Sequence, residues 1–571
     1  MLRTILPSLF RLGARRLIER GLALRAQGDL RAAEQVLREA AQRFPRESAA
    51  AVNLALVLLE QHRAAEGAAE LERALVLAPA DGAANYNYAN LLRVSGRQAE
   101  ALRAYERAAD AGFAPARQEL LFALLEVCAW ERAGREAARL RAHCDAAGAG
   151  WMRAVAPLSA TYLGLDDATC IAVAAFHASE AAQGARPVKR ATPPRAGDRL
   201  RIAYLSPDFR EHPVGHLLAA MLPQHDRNRV EVTAYSYGVD DGGATRRAIA
   251  GGADRFVDLA TASDDATAAA IAADGIDVLV DLAGHTTGGR LGILARRPAP
   301  VQAHYLGYAA TTGAPYIDYF IGDRVTTPHA LDDAFTEKLA CVPDCFMVGG
   351  AAPAPAAVPE RAAQGLPAEA TVFAAFTNAS RITREVFAAW MEILRAVPGS
   401  VLWLKQAQPA TMENLRTAAA QSGVDAARLV FTSRVPARAD HLARLALADL
   451  ALDTFGWHNG HSTTCELLWA GVPVLTTPGA SFAARVGASL VSAAGMPALV
   501  AHDVTDYVAT ASRLGGDRTR LDALRAQLAA NRAHAPLFDT RRGVAGLEAV
   551  FVEMWRRHCR GDAPQRIEAA P

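Results

Sequence analysis

A 34-residue period runs through the first fifth of the chain and dictates how that part must fold. Stepping by this interval aligns Leu24 with Leu58 and Leu92, Gly28 with His62 and Gly96, and Ala33 with Gly67 and Ala101. It also aligns Leu37 with Leu71 and Tyr105, Ala40 with Ala74 and Ala108, and Pro45 with Pro79 and Phe113. A repeat of this length holds two antiparallel helices. Small residues in the Ala33 and Ala40 columns let the helices approach closely, and proline after the second helix stops it before the next unit. Unrelated amphipathic helices would reproduce the apolar spacing but not the coincident Gly, Ala and Pro columns.

Period and columns are those of tetratricopeptide repeats, expected over 1–117, with a concave groove suited to an extended polypeptide. Residues 118–197 continue as helix without the columns and end in a Gly/Pro/Arg-rich linker from Gly184 to Gly197. After it the pattern alternates strand and helix. Apolar runs at 201–206, 230–237 and 277–282 read as buried parallel strands. A second set follows the Ala/Pro-rich stretch 350–366, at 372–376, 400–404, 429–432, 450–453 and 473–476. This predicts an N-terminal α/β half over 198–349, a linker at 350–366, a C-terminal half over 367–560 and a loose tail at 561–571. An amphipathic helix around 547–555 is expected to pack back across the domains. Two such sheets enclose a cleft at the carboxyl ends of their strands, where open α/β folds hold ligands.

The residues at those strand ends are polar. One strand runs into Ser206-Pro-Asp-Phe-Arg-Glu-His212-Pro213, another into Asp281-Leu-Ala-Gly-His285. In the second half, His458-Asn-Gly-His-Ser-Thr-Thr-Cys-Glu466 places a glycine, imidazole and hydroxyls where a loop turns into a helix. Such a helix start offers unpaired N–H groups and partial positive charge to an anion, which reads as a phosphate seat, although an ordinary Ser/Thr N-cap fits the same residues.

Composition removes other classes. Lys+Arg number 61 against 60 Asp+Glu in 571 residues, so no global basic field recruits nucleic acid or anionic lipid. The seven cysteines are scattered without CxxC pairs, which suits a reducing compartment and argues against structural zinc. The opening apolar run is short and Pro-broken, giving no expectation of a signal peptide or membrane span.

The order of motifs carries more. The helical repeats are followed by Asp208-Phe-x-x-His212-Pro213, Asp281-x-x-Gly-His285-Thr286, Arg297-Pro-Ala-Pro-Val-Gln302, Leu306-Gly-Tyr-x-x-Thr-Thr-Gly313, Asp318-Tyr319, Glu337-Lys-Leu339 and Asn459-Gly-His-Ser-Thr463. This combination resembles the O-linked N-acetylglucosamine transferase and Spindly family of protein glycosyltransferases, glycosyltransferase family 41. The resemblance covers about 120–560 and the repeats before it. It implies an α-helical tetratricopeptide solenoid followed by an α/β GT-B fold, two Rossmann-like domains facing a cleft. It also implies inverting, metal-independent transfer of a sugar from a nucleotide donor to Ser or Thr, and no Asp-x-Asp triplet is present to hold a divalent ion. The expected partners are protein or peptide acceptors in the repeat groove and a nucleotide sugar, with no further cofactor, in the cytoplasm. UDP-N-acetylglucosamine is the leading donor. GDP-fucose and a repeat scaffold with a weakened transferase domain are the alternatives.

By position, the resemblance implies that Gly460, His461, Ser462 and Thr463 bind the diphosphate, that Glu466 takes the ribose hydroxyls, and that Arg438 and His441 lie in the segment contacting the base. Asn378 and Arg381 fall where animal homologues carry Gln and Lys. Arg381 keeps the charge that supports the leaving diphosphate but changes its geometry, and Lys405 is a candidate assistant. The segment between Asp453 and His458 also gains one residue relative to the animal pattern. On the facing half His212, Asp281 and His285 are the polar candidates, with His212 placed near acceptor and sugar as a possible base and His285 equally suited to bonding its own loop. Pro298–Pro300 and Gln302 read as shaping residues.

Overall fold

The computed structural model describes residues 2–146, 148–162, 165–190, 199–348, 356–435 and 437–570. Two compact units emerge, Met1–Ala154 with Gln408–Asn414, and Val155–Ala407 with Leu415–Pro571. Among the described residues no helix is long and apolar enough to cross a membrane.

The first unit is a helical array: α1 (Leu2–Ala26), α2 (Leu30–Arg43), α3 (Ser48–Glu60), α4 (Ala64–Leu77), α5 (Gly82–Val94), α6 (Gln98–Asp110), α7 (Ala114–Glu126) and α8 (Trp130–Ala146). The aligned columns have direct structural jobs. Ala33, Leu37, Ala40, Leu58, Leu71, Ala74, Ala101, Tyr105 and Ala108 are all buried. Gly28, His62 and Gly96 take left-handed φ of 82°, 62° and 75°. At each of these turns the next residue's N–H bonds back to the leucine column, Asp29 to Leu24, Arg63 to Leu58 and Arg97 to Leu92, at 2.8–3.0 Å. This left-handed stop ends the first helix of every pair.

The same device recurs at Cys128, with φ 53° and a bond from Ala129 N–H to Leu124 O of 3.0 Å. A fourth helix pair, α7 with α8, therefore continues the array past the expected end at 117. The step from Gly96 to Cys128 is two residues short of the period, so the sequence columns fade where the structure does not.

The second unit holds two all-parallel sheets. Strands β1 (Leu200–Ser206), β2 (Val230–Ser236), β3 (Arg255–Asp258), β4 (Val278–Asp281), β5 (Val301–His304), β6 (Tyr319–Asp323) and β7 (Lys338–Val342) belong to the first. Strands β8 (Val372–Ala375), β9 (Val401–Lys405), β10 (Leu429–Thr432), β11 (Leu450–Leu452) and β12 (Val474–Leu475) form the second, in the order β10-β9-β8-β11-β12. The first sheet is completed by β13 (Ile567–Glu568), in the order β13-β7-β6-β5-β4-β1-β2-β3. This is the solenoid-plus-GT-B architecture expected from the sequence.

Three details differ from expectation. Residues after 561 are not a loose tail, because Ile567 pairs in parallel with Ala340 and the Arg566 guanidinium donates to Thr327 O at 2.6 Å. The helix Thr540–Arg560 lies on the first sheet, with Val544, Leu547, Val550, Phe551 and Met554 buried and Glu548 accepting from His225 Nδ1 (2.9 Å) and the Asp226 N–H (2.8 Å). The helix thus packs back across the domains as expected, and what differs is the bound, since the half expected to run to 560 ends earlier. Strands β3 and β5–β7 were not anticipated. In β5, Gln302 is a fully buried strand residue whose amide donates to Leu294 O and Tyr316 O at 3.0 and 2.6 Å. The second half of the first expected linker (191–197) and the start of the second (350–355) lie outside the described residues.

Candidate active site

The anion seat is built from β11 outward. Asp453, which follows that strand, is 6 % exposed, and its Oδ1 accepts the N–H of Thr454 (2.9 Å) and of Gly460 (2.6 Å). Its Oδ2 accepts the Thr476 hydroxyl at 2.9 Å. Burial pushes this carboxyl up to about 7, although the hydrogen bonds and the Arg381 charge oppose the shift. Asp453 thereby folds the loop 453–460 into a closed turn. Only glycine fits at 460, since a Cβ there would lie 2.2 Å from Thr464 Oγ1 and 2.8 Å from Asp453 Oδ1. The neighbouring Asn459 pins the loop by donating to Thr454 O (2.8 Å), Thr477 O (3.2 Å) and, through its backbone, Ala483 O (3.0 Å).

The helix Ser462–Trp469 starts from this turn, with His461 at its N-cap making no side-chain cap bond. Its first intrahelical donor is Cys465 N–H, to His461 O at 3.0 Å. The N–H groups of Ser462, Thr463 and Thr464 are therefore left at the helix start with the positive end of its dipole. The Ser/Thr run is not a conventional N-cap, since the cap position belongs to His461. Its ring donates Nε2–H to Ala483 O at 3.0 Å, and burial followed by the Arg381 charge drives it down to about 3, so it stands neutral with a bare Nδ1. The fixed cation is Arg381, in the turn Ala379–Arg381, whose guanidinium donates to Asn459 O at 2.9 Å. Asn378 is three residues upstream and accepts from Lys405 Nζ at 3.0 Å, and burial holds that ammonium below its usual range.

Along the same helix, Glu466 is approached by Arg438 Nε (3.4 Å) and His441 Nε2 (3.7 Å). Burial opposes ionisation of Glu466, but the His441 and Arg438 interactions outweigh it and hold the carboxyl below its ordinary value. The Phe376 ring meets His441 edge-on at 6.0 Å. Residues proposed for base and for ribose thus form one cluster. A narrow cleft runs beside it, lined by Arg438, Ser462, Glu466 and Trp469 from the second sheet's half and by Pro213 and His216 from the first. Arg438, Ser462 and Glu466 thus share this cleft with the helix start next to His212, while His212, Asp281 and His285 are not among its lining residues.

On the first half, His212 caps the helix Pro213–Met221 with Nδ1 accepting Val214 N–H at 3.3 Å. Burial keeps the ring below its ordinary value despite Asp208 at 3.7 Å. Neutral His212 consequently carries its hydrogen on Nε2 and offers a donor, not the free lone pair expected of a base. Asp281 is a second correction. It is 1 % exposed, and its oxygens accept Gly284 N–H (2.7 Å), Ala283 N–H (3.3 Å) and His304 Nδ1–H (2.8 Å). His304, which also donates Nε2–H to Tyr308 O at 2.9 Å, is held above its usual range by Asp281 although burial opposes this. Asp281 therefore supports the loop and does not face the cleft. His285 donates Nε2–H to Thr312 O at 2.7 Å, and burial lowers it to about 4. The Thr311-Thr312 turn behind it is fixed by buried Glu337, which accepts Thr311 O–H (2.6 Å) and Thr312 N–H (2.7 Å). His304 and Thr476 are not singled out by the sequence, and Asp453 and Asn459 enter it only as the bound of a segment and the start of a motif, without a role of their own. Asp453 and His304 did carry a signal, each being a polar residue at the carboxyl end of an apolar strand.

The family model for glycosyl transferase family 41 matches residues 152–354 and 350–547. A probable UDP-N-acetylglucosamine–peptide N-acetylglucosaminyltransferase SEC of Arabidopsis thaliana is 38% identical over 377 residues, 65% of this chain and 38% of that protein. The UDP-N-acetylglucosamine–peptide N-acetylglucosaminyltransferase of Caenorhabditis elegans is 31% identical over 475 residues, covering 63% of this chain and 41% of its own length. A SPINDLY protein of Oryza sativa subsp. japonica is 35% identical over 379 residues, 65% of this chain and 40% of that protein. The chain thus spans 38–41% of the length of these curated relatives. A solved structure of a lysine-to-methionine mutant of the Thermobaculum terrenum O-GlcNAc transferase superposes with a TM-score of 0.71 at 29% identity, covering 97% of this chain and 99% of that one. With β1–β12, the cleft and the helix-start seat inside the matched residues, the chain belongs to glycosyl transferase family 41.

Proposed function

We propose that this chain is a protein O-glycosyltransferase that moves N-acetylglucosamine from UDP-N-acetylglucosamine to serine or threonine hydroxyls, with inversion and without a metal or other cofactor. The observation that carries this reading is the pairing of a glycine-tight helix start at Gly460–Thr463 with the Arg381 guanidinium bonded to Asn459 O. The acceptor hydroxyl oxygen attacks the anomeric carbon as that carbon's bond to the β-phosphate oxygen breaks, and the hydroxyl proton passes to an oxygen of the departing diphosphate. Helix-start N–H groups, the Ser462 and Thr463 hydroxyls and Arg381 then hold the departing diphosphate. Glu466, Arg438 and His441 receive ribose and base. Stabilising the leaving group is the larger contribution, since neutral His212 carries its hydrogen on Nε2 and would orient oxygens rather than take a proton.

The helical repeats are read as the acceptor-binding element and the cytoplasm as the compartment. Among the described residues Cys170, Cys341, Cys345, Cys465 and Cys559 form no disulfide, which supports a reducing environment. Incubation with UDP-N-acetylglucosamine or GDP-fucose and candidate acceptors, followed by mass spectrometry, tests the proposal. An N-acetylhexosamine adduct on Ser/Thr is expected. A deoxyhexose adduct would move the chain to fucosyl transfer, and nucleotide binding with no transfer would make it a scaffold.

A further inference from the structure

Among the described residues, the buried atoms His458 Nδ1, Asn459 Oδ1 and Arg381 Nε by the anion seat have no hydrogen-bond partner. They belong to one neighbourhood, since Arg381 bonds Asn459 O at 2.9 Å and the His458 and His461 rings lie 5.9 Å apart. Leaving such groups unmet is costly, and native proteins rarely do so without a ligand or water to complete them.

The chemistry of His458 can be read from its contacts. The residue is 6 % exposed. Its ring stacks on Tyr162 with centroids 4.4 Å apart and planes 17° from parallel, and its Nε2 lies 3.2 Å from Thr161 Oγ1. Thr161 spends its only hydroxyl hydrogen on Leu158 O at 2.7 Å, so towards His458 it can only accept. Nε2 therefore carries the ring hydrogen, and Nδ1 is a bare acceptor. Asn459 is in the same condition, because its amide hydrogens go to Thr454 O and Thr477 O and its Oδ1 remains. Two fixed acceptors and one guanidinium N–H complement a group rich in O–H and N–H. A diphosphate, which carries no hydrogens at neutral pH, cannot satisfy the acceptors, whereas a sugar can.

We propose that His458, with its tautomer set by the Thr161–Tyr162 turn, is a specificity-determining residue that accepts a hydrogen bond from a hydroxyl or amide of the transferred sugar, with Asn459 Oδ1 as a second acceptor. This rests on the reading of the site as a nucleotide-sugar seat. It assigns a role in sugar selection to the segment preceding β1, through Thr161 and Tyr162.

The test compares UDP with UDP-N-acetylglucosamine by calorimetry on the full chain, for the wild type, His458→Ala and Thr161→Val. The expected result is unchanged UDP affinity with an approximately tenfold loss of UDP-N-acetylglucosamine affinity in His458→Ala, the scale of one hydrogen bond. A smaller loss in the same direction is expected for Thr161→Val, which frees the tautomer. Equal changes for both ligands, or none for either, overturn the assignment while leaving the nucleotide-sugar reading intact. Wild-type protein that binds neither ligand overturns both. Imidazole ¹⁵N spectra of the wild type supply a reading independent of variant folding. The His458 Nδ1 resonance should move with UDP-N-acetylglucosamine and stay with UDP, and an identical response to both refutes the contact.

Discussion

Replacing Asp453 with asparagine should change stability in a way that depends on pH and in a known direction. In the folded chain burial moves this carboxyl from its ordinary 3.8 to about 7. A group whose folded pKa is raised contributes stability that is complete below its unfolded value and is lost as pH rises towards the folded one. The window is therefore about pH 4–7, and the displacement corresponds to about 4 kcal/mol across it. An amide never ionises, and its oxygen can still accept from Thr454 and Gly460 while its nitrogen donates to a rotated Thr476 hydroxyl. Urea unfolding of wild type and Asp453→Asn should thus show a difference that shifts by up to about 4 kcal/mol in favour of the variant between pH 4 and pH 8. Asp453→Ala should lose about 2–6 kcal/mol even at low pH, because two buried N–H groups are left without acceptors. A wild-type-minus-asparagine difference that is flat with pH would refute the burial argument.

His461→Ala should weaken UDP-N-acetylglucosamine binding or turnover while leaving the circular dichroism melt unchanged. Labelling at the wild-type rate would remove His461 from the site. Because His461 is neutral in the free protein with Nδ1 bare, contact of that atom with a phosphate oxygen requires a proton. Binding should then take up protons and strengthen as pH falls. Calorimetry in buffers of different ionisation enthalpy checks this, and zero uptake contradicts it. Arg381→Met should reduce turnover with UDP-N-acetylglucosamine by ~100-fold or more, and Arg381→Lys should recover part of the loss. Equal rates in all three proteins would show that no cation at 381 supports the leaving group. Deleting residues 562–571 removes the β13 edge and the Arg566 bond to Thr327 O, and should lower the melting temperature by several degrees. An unchanged melt would mean the tail is loose after all.

What the sequence disclosed and what it hid follow from the range of the interactions involved. The seat at Gly460–Thr463 was legible because loop, cap and helix start are contiguous, so one short segment carries the whole device. The first three repeats were legible for the same reason, and the fourth escaped because its turn comes two residues early at Cys128. Asp281 read as a free strand-end acid because its partner His304 is 23 residues away and meets it only through the parallel register of β4 with β5. Asp453 and Thr476 are joined in the same way across β11 and β12. The tail offered two strand residues in a polar context, and only the open edge of β7 makes them a strand. Tautomers lay beyond sequence altogether, since the bare nitrogens of His458 and His461 are set by Thr161 and by Ala483 O.

Hydrogen-exchange mass spectrometry with and without UDP-N-acetylglucosamine, in chelator, reads the proposed seat directly. Slowed exchange of the Ser462–Thr464 amides on adding the donor is the expected result, since those N–H groups would gain phosphate acceptors. Donor that binds while these amides exchange at the free rate would place the diphosphate elsewhere and end the account.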